Sequence, residues 1–285
     1  MPYVDLHTHS NISDGQVAPA EVVRLAAGAG LSAVALTDHD TLLGLPEALE
    51  AGREEGIEVV PGCELSVVEG GRELHILGLW TRPDSAALEQ VLAWLRAGRE
   101  DRNRVILDKL AGLGVSIDYD EVLDMAQGTV GRPHIARILV ERGIARDYVS
   151  AFRKYLGRFG LAFVPKQELP LARAAQVLRA EGATVALAHP YLLGAGGKAM
   201  EEMVRGFSAL GVEAIEAYYT EHSAQKTHEY LELARRLDLG VCGGSDYHGQ
   251  IKPGIRIGVG RGRLAVPEAV LDDLKARRRA KGLWV

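Results

Sequence analysis

The pattern that most constrains this chain is a run of short apolar, β-favouring segments that keep ending in histidine or a carboxylate. It begins at once, in Val4-Asp5-Leu6-His7-Thr8-His9-Ser10, with Asp14 a few residues on. Residues 2–6 read as a short strand, because their β-favouring side chains stop at a polar cluster. Alternate residues of a strand share a face, so His7 and His9 can converge on one point and form half of a metal site. A lone His-x-His is equally compatible with two polar loop residues, so its weight comes from repetition.

The repetition is extensive. Residues 31–36 end in Thr37-Asp38-His39-Asp40, and residues 57–60 end in Pro61-Gly62-Cys63-Glu64. Residues 73–79 carry His75, residues 183–188 lead to His189-Pro190, and residues 240–243 run into Gly244-Ser245-Asp246-Tyr247-His248. Further strands are expected over 212–217 and 255–259, with helices over 19–28, 45–55, 171–180, 200–210, 222–237 and 267–278. This alternation with short links implies parallel strands covered by helices. In a parallel α/β barrel the C-terminal rim of the strands is where a site is built. The expectation is therefore a rim metal centre of His7, His9, Asp14, His39, Glu64, His75, His189, Asp246 and His248. From about residue 84 the rhythm changes to helices over 86–113, 119–126, 134–142 and 147–156, with no strand-like run until 161–164. Residues 99–166 read as a helical insertion on a barrel formed by 1–98 and 167–285.

Imidazoles mixed with carboxylates, and no thiolate pattern, suit Mn²⁺, Fe²⁺ or Zn²⁺ better than Ca²⁺, and Mn²⁺ is the leading expectation. Nine donors exceed the needs of one ion and fit two or three with a bridging carboxylate. Such clusters hold a hydroxide at neutral pH and clamp phosphoryl oxygens, which points to phosphate-ester hydrolysis. With 33 basic and 38 acidic residues the net charge is −5, so no global attraction to nucleic acid or membrane is expected. No apolar stretch approaches the roughly 20 residues of a membrane span. There is no basic-then-apolar leader, and the only cysteines are Cys63 and Cys242. A soluble, cytoplasmic protein with reduced thiols and no obligate protein partner is the expectation.

Taken together, Asp5-Leu6-His7-Thr8-His9-Ser10 with Asp14-Gly15, Leu36-Thr37-Asp38-His39-Asp40, Gly62-Cys63-Glu64, His75, Ala188-His189-Pro190 and Gly244-Ser245-Asp246-Tyr247-His248 resemble the PHP (polymerase and histidinol phosphatase) phosphoesterases. The resemblance runs in order through nearly the whole chain and implies a distorted (β/α)₇ barrel with a trinuclear site. His7, His9, Glu64 and Asp246 would hold one ion, and Glu64 would bridge to a second completed by His75 and His189. Asp14, His39 and His248 would hold the third. Some family members carry histidine where Asp14 stands, which bears on the metal preference of that position.

Gly131-Arg132-Pro133-His134-Ile135-Ala136-Arg137, Phe152-Arg153-Lys154-Tyr155-Leu156 and Phe163-Val164-Pro165-Lys166 resemble the subgroup acting on nucleotides. That subgroup comprises 3′,5′-nucleoside bisphosphate phosphatases and 5′→3′ exoribonucleases of short RNA. A substrate with two phosphates needs fixed positive charge for the one that is not cleaved, and an Arg fork suits it. Arg132 and His134 are the first candidates, with Arg158 and Lys166 behind them. His222, on the loop after strand 212–217, could protonate the leaving oxygen, hold substrate, or simply begin a helix. Asp246 is also assigned a catalytic part. Asp38 or Asp40 could orient His39 through its second nitrogen, and Tyr218-Tyr219 could stack on a base. The competing readings are a phosphomonoesterase of a non-nucleotide substrate, such as histidinol phosphate or a sugar phosphate, and a non-catalytic metal-binding domain.

Overall fold

The computed structural model of the chain describes residues 2–125, 130–165 and 167–285. Its strands are β1 (Tyr3–Thr8), β2 (Ala33–Leu36), β3 (Glu58–Glu69), β4 (Arg72–Leu79), β5 (Thr184–Leu187), β6 (Ala214–Tyr219), β7 (Gly240–Gly244) and β8 (Val266–Pro267). They form one sheet in the order β7-β6-β5-β4-β3-β2-β1-β8. β8 pairs antiparallel with only Tyr3 and Val4, leaving the other half of β1 to meet β7. There the Asp246 N–H donates to the His7 carbonyl at 2.8 Å and the His9 N–H to the Tyr247 carbonyl at 3.0 Å. The sheet therefore curls into a nearly closed barrel, with β8 wedged into the seam at the start of β1.

Helices α1 (Pro19–Gly28), α2 (Leu45–Glu55), α7 (Leu171–Ala180), α8 (Gly197–Ala209), α9 (Ala224–Leu237) and α10 (Glu268–Ala280) surround the barrel. Alternation along the strands separates two cores. Val34, Leu36, Val185, Leu187 and Ile215 join the helices' apolar stripes in the largest cluster. Ala33, Ala35, Ala186, Ala188 and Ala214 fall in a second cluster with Leu77, Leu79 and the α10 residues Leu271 and Leu274. Small side chains on that face let the barrel close tightly.

Two features depart from an all-parallel expectation. β3 is 12 residues long, runs on past Glu64 to Glu69, and turns at Gly70-Gly71, whose φ angles are 55° and 72°, into β4. Two consecutive positive-φ residues are the requirement of a tight hairpin turn, which glycine meets without strain. β4 is consequently antiparallel to both β3 and β5. The strands expected over 161–164 and 255–259 do not form. The N–H groups of Leu161 and Ala162 return to the Lys154 and Tyr155 carbonyls, closing the preceding helical turn instead. Gly258 and Gly260 bend the second segment, and the Gly258 N–H is taken by Asp5 Oδ2 at 2.8 Å.

The remaining helices are α3 (Ala86–Gly112), α4 (Tyr119–Asp124), α5 (Arg132–Glu141) and α6 (Tyr148–Ala151), the last continuing as a π-helical turn over Phe152–Leu156. α3 serves both parts of the molecule. Its Leu88, Leu92 and Leu95 pack with the barrel, whereas Ile106, Leu107 and Leu110 pack with Ile135, Leu139, Tyr155 and Ala162 in a separate cluster.

The seam imposes one strict steric requirement. A Cβ on Gly244 would lie 2.4 Å from the His7 nitrogen and 2.5 Å from the His7 Cβ. Gly244→Ala is expected to destabilise the fold by about 1–3 kcal/mol through overpacking, lowering the thermal midpoint by roughly 2–12 °C. Gly28→Ala, where a Cβ meets nothing within 4 Å, should leave the midpoint unchanged or raise it. Calorimetry of the two variants checks both.

Candidate metal centre

All nine residues expected at the rim gather at one end of the barrel. His7 lies where the β1–β2 register shifts between Asp5 and Thr8, a bulge of the kind that re-aims side chains beside active sites. His9 and Asp14 follow β1, His39 follows β2, His189 follows β5, and Asp246 and His248 follow β7. Glu64 and His75 reach the same place differently from the strand-end expectation. Glu64 lies in the middle of β3, and His75 lies in a strand running the opposite way.

Glu64 is the hub. Its Oε2 is 3.1 Å from both His7 Nε2 and His9 Nε2, and 3.5 Å from His39 Nδ1. Its Oε1 is 2.7 Å from His75 Nδ1 and 2.9 Å from His189 Nε2. Asp246 Oδ1 stands 3.6 Å, 3.4 Å and 3.3 Å from His7, His9 and His248. Asp14 lies 3.1 Å from His248 Nε2 and 3.9 Å from both His9 and His39. Three sets of donor atoms each fall within 4.8 Å of one another: His7, His9, Glu64 and Asp246; His39, Glu64 and His75; and His9, Asp14, His39 and His248.

These donors fit divalent cations on their own chemistry. His7 Nε2 and His9 Nε2 approach to 3.1 Å, which two lone pairs tolerate only with a proton or cation between them. Among the described residues the buried Nδ1 atoms of His9 and His39 have no hydrogen-bond partner, a costly condition that coordination would relieve. Buried carboxylates of Asp5, Asp38, Asp40, Glu64, Glu216 and Asp246 surround them. Burial alone would push the imidazoles down. Around His7, however, Glu216, Glu64 and Asp246 outweigh burial and hold it well above its ordinary value. His9 rises to about 9, its burial outweighed by Asp246 and Glu64. Burial raises Glu64, but His39, His7 and His75 carry it well below the carboxylate range. The site thus has an excess of negative charge that attracts positive charge of any kind.

Other residues support the donors, and of these Glu216, Asp5 and Lys252 were not singled out for a role from the sequence. Glu216 on β6, fully buried, accepts the His7 Nδ1–H at 2.9 Å and the His189 backbone N–H at 2.6 Å. That leaves His7 Nε2 facing the other donors, the usual way a carboxylate orients a metal-binding imidazole. A single Glu inside the apolar strand Ala214–Tyr219 was the available signal. Asp5 accepts from the backbone of Ser245 and Gly258 and ties the seam. Tyr219 donates its hydroxyl to Asp246 Oδ2 at 2.7 Å, and Lys252 pairs with the same oxygen. Asp38 serves the loop after β1, accepting from the Ser10 and Ser13 hydroxyls at 2.6 Å each, and Asp40 pairs with Arg99. Neither is hydrogen-bonded to His39, contrary to the orienting role expected of one of them. Asp40, His189 and Asp246 have φ of 52°, 29° and 55°, strain of a kind that collects at functional sites.

His222 donates from Nδ1 to the Ala217 carbonyl at 2.8 Å, and its ring sits among Tyr191, Tyr219 and Tyr230. Tyr219 therefore lies between it and Asp246. Arg132 donates to the Leu156 carbonyl at 3.1 Å and lies over the Phe152 ring. His134 Nδ1 accepts the Gly131 N–H at 3.1 Å, leaving its remaining proton on Nε2. Arg158 is exposed, and Lys166 lies outside the described residues. Cys63 and Cys242 are buried free thiols. A cleft of about 510 Å³ opens over the donors, lined by His39, Glu64, His75, His189 and Asp246 together with Lys252, Tyr191 and the α6 residue Val149. Its size suits a small organic ligand.

Chelation should lower the thermal midpoint, and a divalent ion at about 100 times its Kd should restore about 2.7 kcal/mol of stability. Glu216→Gln, which can no longer accept at both oxygens, should weaken metal binding by about 10–100-fold. Titration against a competing chelator measures it, and unchanged affinity would contradict the orienting role.

Residues 5–162 match the PHP domain family. A 3′,5′-nucleoside bisphosphate phosphatase of Chromobacterium violaceum is 33% identical over 97% of this chain and 98% of its own length. A 5′-3′ exoribonuclease of Haemophilus influenzae is 35% identical over 86% of this chain and 89% of its own. Among solved structures, a proposed metal-dependent phosphoesterase of Bifidobacterium adolescentis superposes with a TM-score of 0.87 and 28% identity, covering 97% of this chain and 96% of the other. With the family's match spanning more than half of the chain and these relatives aligned along most of it, the chain belongs to the PHP domain family.

Proposed function

We propose that this protein is a metal-dependent phosphoesterase acting on nucleotide phosphates, and that its principal substrate is the 3′-phosphate of 3′,5′-nucleoside bisphosphates. The observation that carries the reading is the bridging posture of Glu64, whose two oxygens address two different sets of imidazoles beneath an open cleft. Two relatives align over most of this chain, and their named activities are on a nucleoside bisphosphate and on RNA. Short 5′-phosphorylated oligoribonucleotides are the second reading, supported by the exoribonuclease relatives.

In this reading His7, His9, Glu64 and Asp246 hold one ion. Glu64, His75 and His189 hold a second, and Asp14, His39 and His248 a third, with Mn²⁺ as the preferred metal. When bound, such ions supply a nucleophile at neutral pH and neutralise charge on phosphoryl oxygens. The chain's own contribution is positional. Glu216 fixes the His7 tautomer and the strained His189 backbone, while Tyr219 and Lys252 hold Asp246 Oδ2 so that Oδ1 faces the centre.

The second phosphate needs its own cations, and the junction of barrel and insertion has them. Arg99, paired with Asp40, comes so near the start of α5 that a Cβ on Gly131 would lie 3.6 Å from its Nη1. Arg102 is pushed down to about 9, by burial first and then by Arg132 and Arg99. Burial and Arg99 likewise lower Arg132. Guanidinium groups that repel one another while partly withdrawn from water, with Glu73 a carboxylate acting on all three, gain from a further anion placed among them. This supports Arg132 and His134 as the residues receiving the 5′-phosphate, on a helix whose N-terminus favours negative charge.

The test is phosphate release from adenosine 3′,5′-bisphosphate, 5′-AMP and histidinol phosphate by Mn²⁺-loaded enzyme. The bisphosphate should turn over and the other two should not. Glu64→Gln should lose kcat by about 10³-fold, and Arg132→Ala should raise KM about tenfold or more with kcat little changed. Turnover of histidinol phosphate alone would keep the phosphoesterase and discard the nucleotide.

A further inference from the structure

Asp246 divides its duties between two oxygens. Oδ1 faces His7, His9 and His248, whereas Oδ2 receives the Tyr219 hydroxyl and the Lys252 ammonium. Ligation of an ion through Oδ1 would leave the Oδ2 contact with the lysine available. The Lys252 side chain is still 36% exposed, and it lines the same cleft as Glu64, His75 and His189. An ammonium carries three N–H donors, of which Asp246 takes one.

The base of the side chain is fixed as well. Lys252 ends a 3₁₀ turn over Gly249–Ile251, its N–H returns to the Gly249 carbonyl at 3.2 Å, and Pro253 restricts its backbone from the other side. Among the described residues lining this cleft, the other Lys or Arg is Arg261. Its Nε is held by Glu221 at 3.0 Å, and its side chain is 54% exposed. Lys252 is thus the fixed cation built into the cleft wall beside the imidazole and carboxylate cluster.

We propose that Lys252 is a catalytic residue of this centre, its ammonium donating a hydrogen bond to a non-bridging oxygen of the phosphoryl group being transferred. This rests on the phosphoesterase reading above and adds a contact that no rim ligand supplies. In the reaction, water adds to phosphorus and the P–O bond to the ribose breaks. One proton of the water ends on the departing oxygen, and Lys252 keeps its own protons throughout. Its role is to stabilise charge on the equatorial oxygens, where a preorganised donor in a desolvated site is most effective. The cations near Arg132 act on the other phosphate, so the two groups have separable effects.

The experiment uses Lys252→Ala and Lys252→Arg in the full chain, with manganese affinity measured first and every later assay run at saturating Mn²⁺. Binding of inorganic phosphate is followed by calorimetry, alongside turnover of adenosine 3′,5′-bisphosphate. Lys252→Ala is expected to weaken inorganic phosphate binding about tenfold and to lower kcat/KM by about 10²–10³-fold, the range for losing one such donor. Ethylammonium in the buffer should recover part of the rate, and Lys252→Arg should retain more than the alanine variant. A merely structural lysine would behave otherwise: manganese affinity would fall, but the saturated variant would bind phosphate and turn over substrate like the unaltered enzyme. That result overturns the proposal. If the unaltered enzyme leaves the bisphosphate intact, the nucleotide reading fails, and the phosphate-binding comparison still decides the role of Lys252.

Discussion

Concentrated buried negative charge governs this molecule. Glu64, Asp246, Glu216, Asp5, Asp38 and Asp40 are all withdrawn from water at one end of a narrow barrel. At an effective dielectric of about 20, two unit charges 4 Å apart interact by about 4 kcal/mol, so such a group is tolerable only if each member has a partner. Much of the local structure is an answer to that demand. Asp5 is satisfied by backbone N–H groups at the seam, Asp38 by serines of the loop after β1, Asp40 by Arg99, and Glu216 by His7 and the His189 backbone. Glu64 and Asp246 keep oxygens turned toward imidazoles, and that residual charge is what a divalent ion neutralises.

The barrel's geometry serves the same end. A bulge near His7, a reversed strand carrying His75, and positive φ at Asp40, His189 and Asp246 each depart from ideal geometry. Each falls at or next to a donor. A regular parallel barrel would present one side chain per strand end, whereas the β3–β4 hairpin places Glu64 and His75 on a shared face, 2.7 Å apart. The seam between β1 and β7, held by Asp246 and His9 backbone bonds, joins the first and last donors of the chain. Folding of the barrel and assembly of the centre are therefore one event.

The helices outside the barrel contribute charge of the opposite sign. Arg99, Arg102 and Arg132 crowd the junction with the barrel, and α3 connects the two by packing into both cores. Arg96 is engaged as well, donating to the Asp40 carbonyl and pairing with Glu89. The arginine-rich stretch of α3 thus faces inward toward the centre at Arg96 and Arg99, while Arg104 turns to Glu100 and the Tyr119 ring.

The nine residues that gather at the barrel's end could be picked out from the chain, because side chains able to hold a metal are chemically distinctive and here recur at or near the ends of apolar runs. The α/β character and the helices outside the barrel were legible for a similar reason, since alternation and helical periodicity are local signals. The hairpin was also written locally, in Val67-Val68-Glu69-Gly70-Gly71-Arg72, but a short apolar run does not declare its direction. The partners of the donors were not legible. Glu216, Tyr219 and Lys252 lie 209 residues from His7, 27 from Asp246 and 6 from Asp246 respectively, with no spacing rule linking them. The sequence by itself determined which side chains could meet a metal. Only the tertiary structure decided which oxygen of Asp246 faces the centre, which cation stands beside it, and which carboxylate orients His7. Those choices depend on strand direction, register and side-chain angle, which exist only once distant segments have packed.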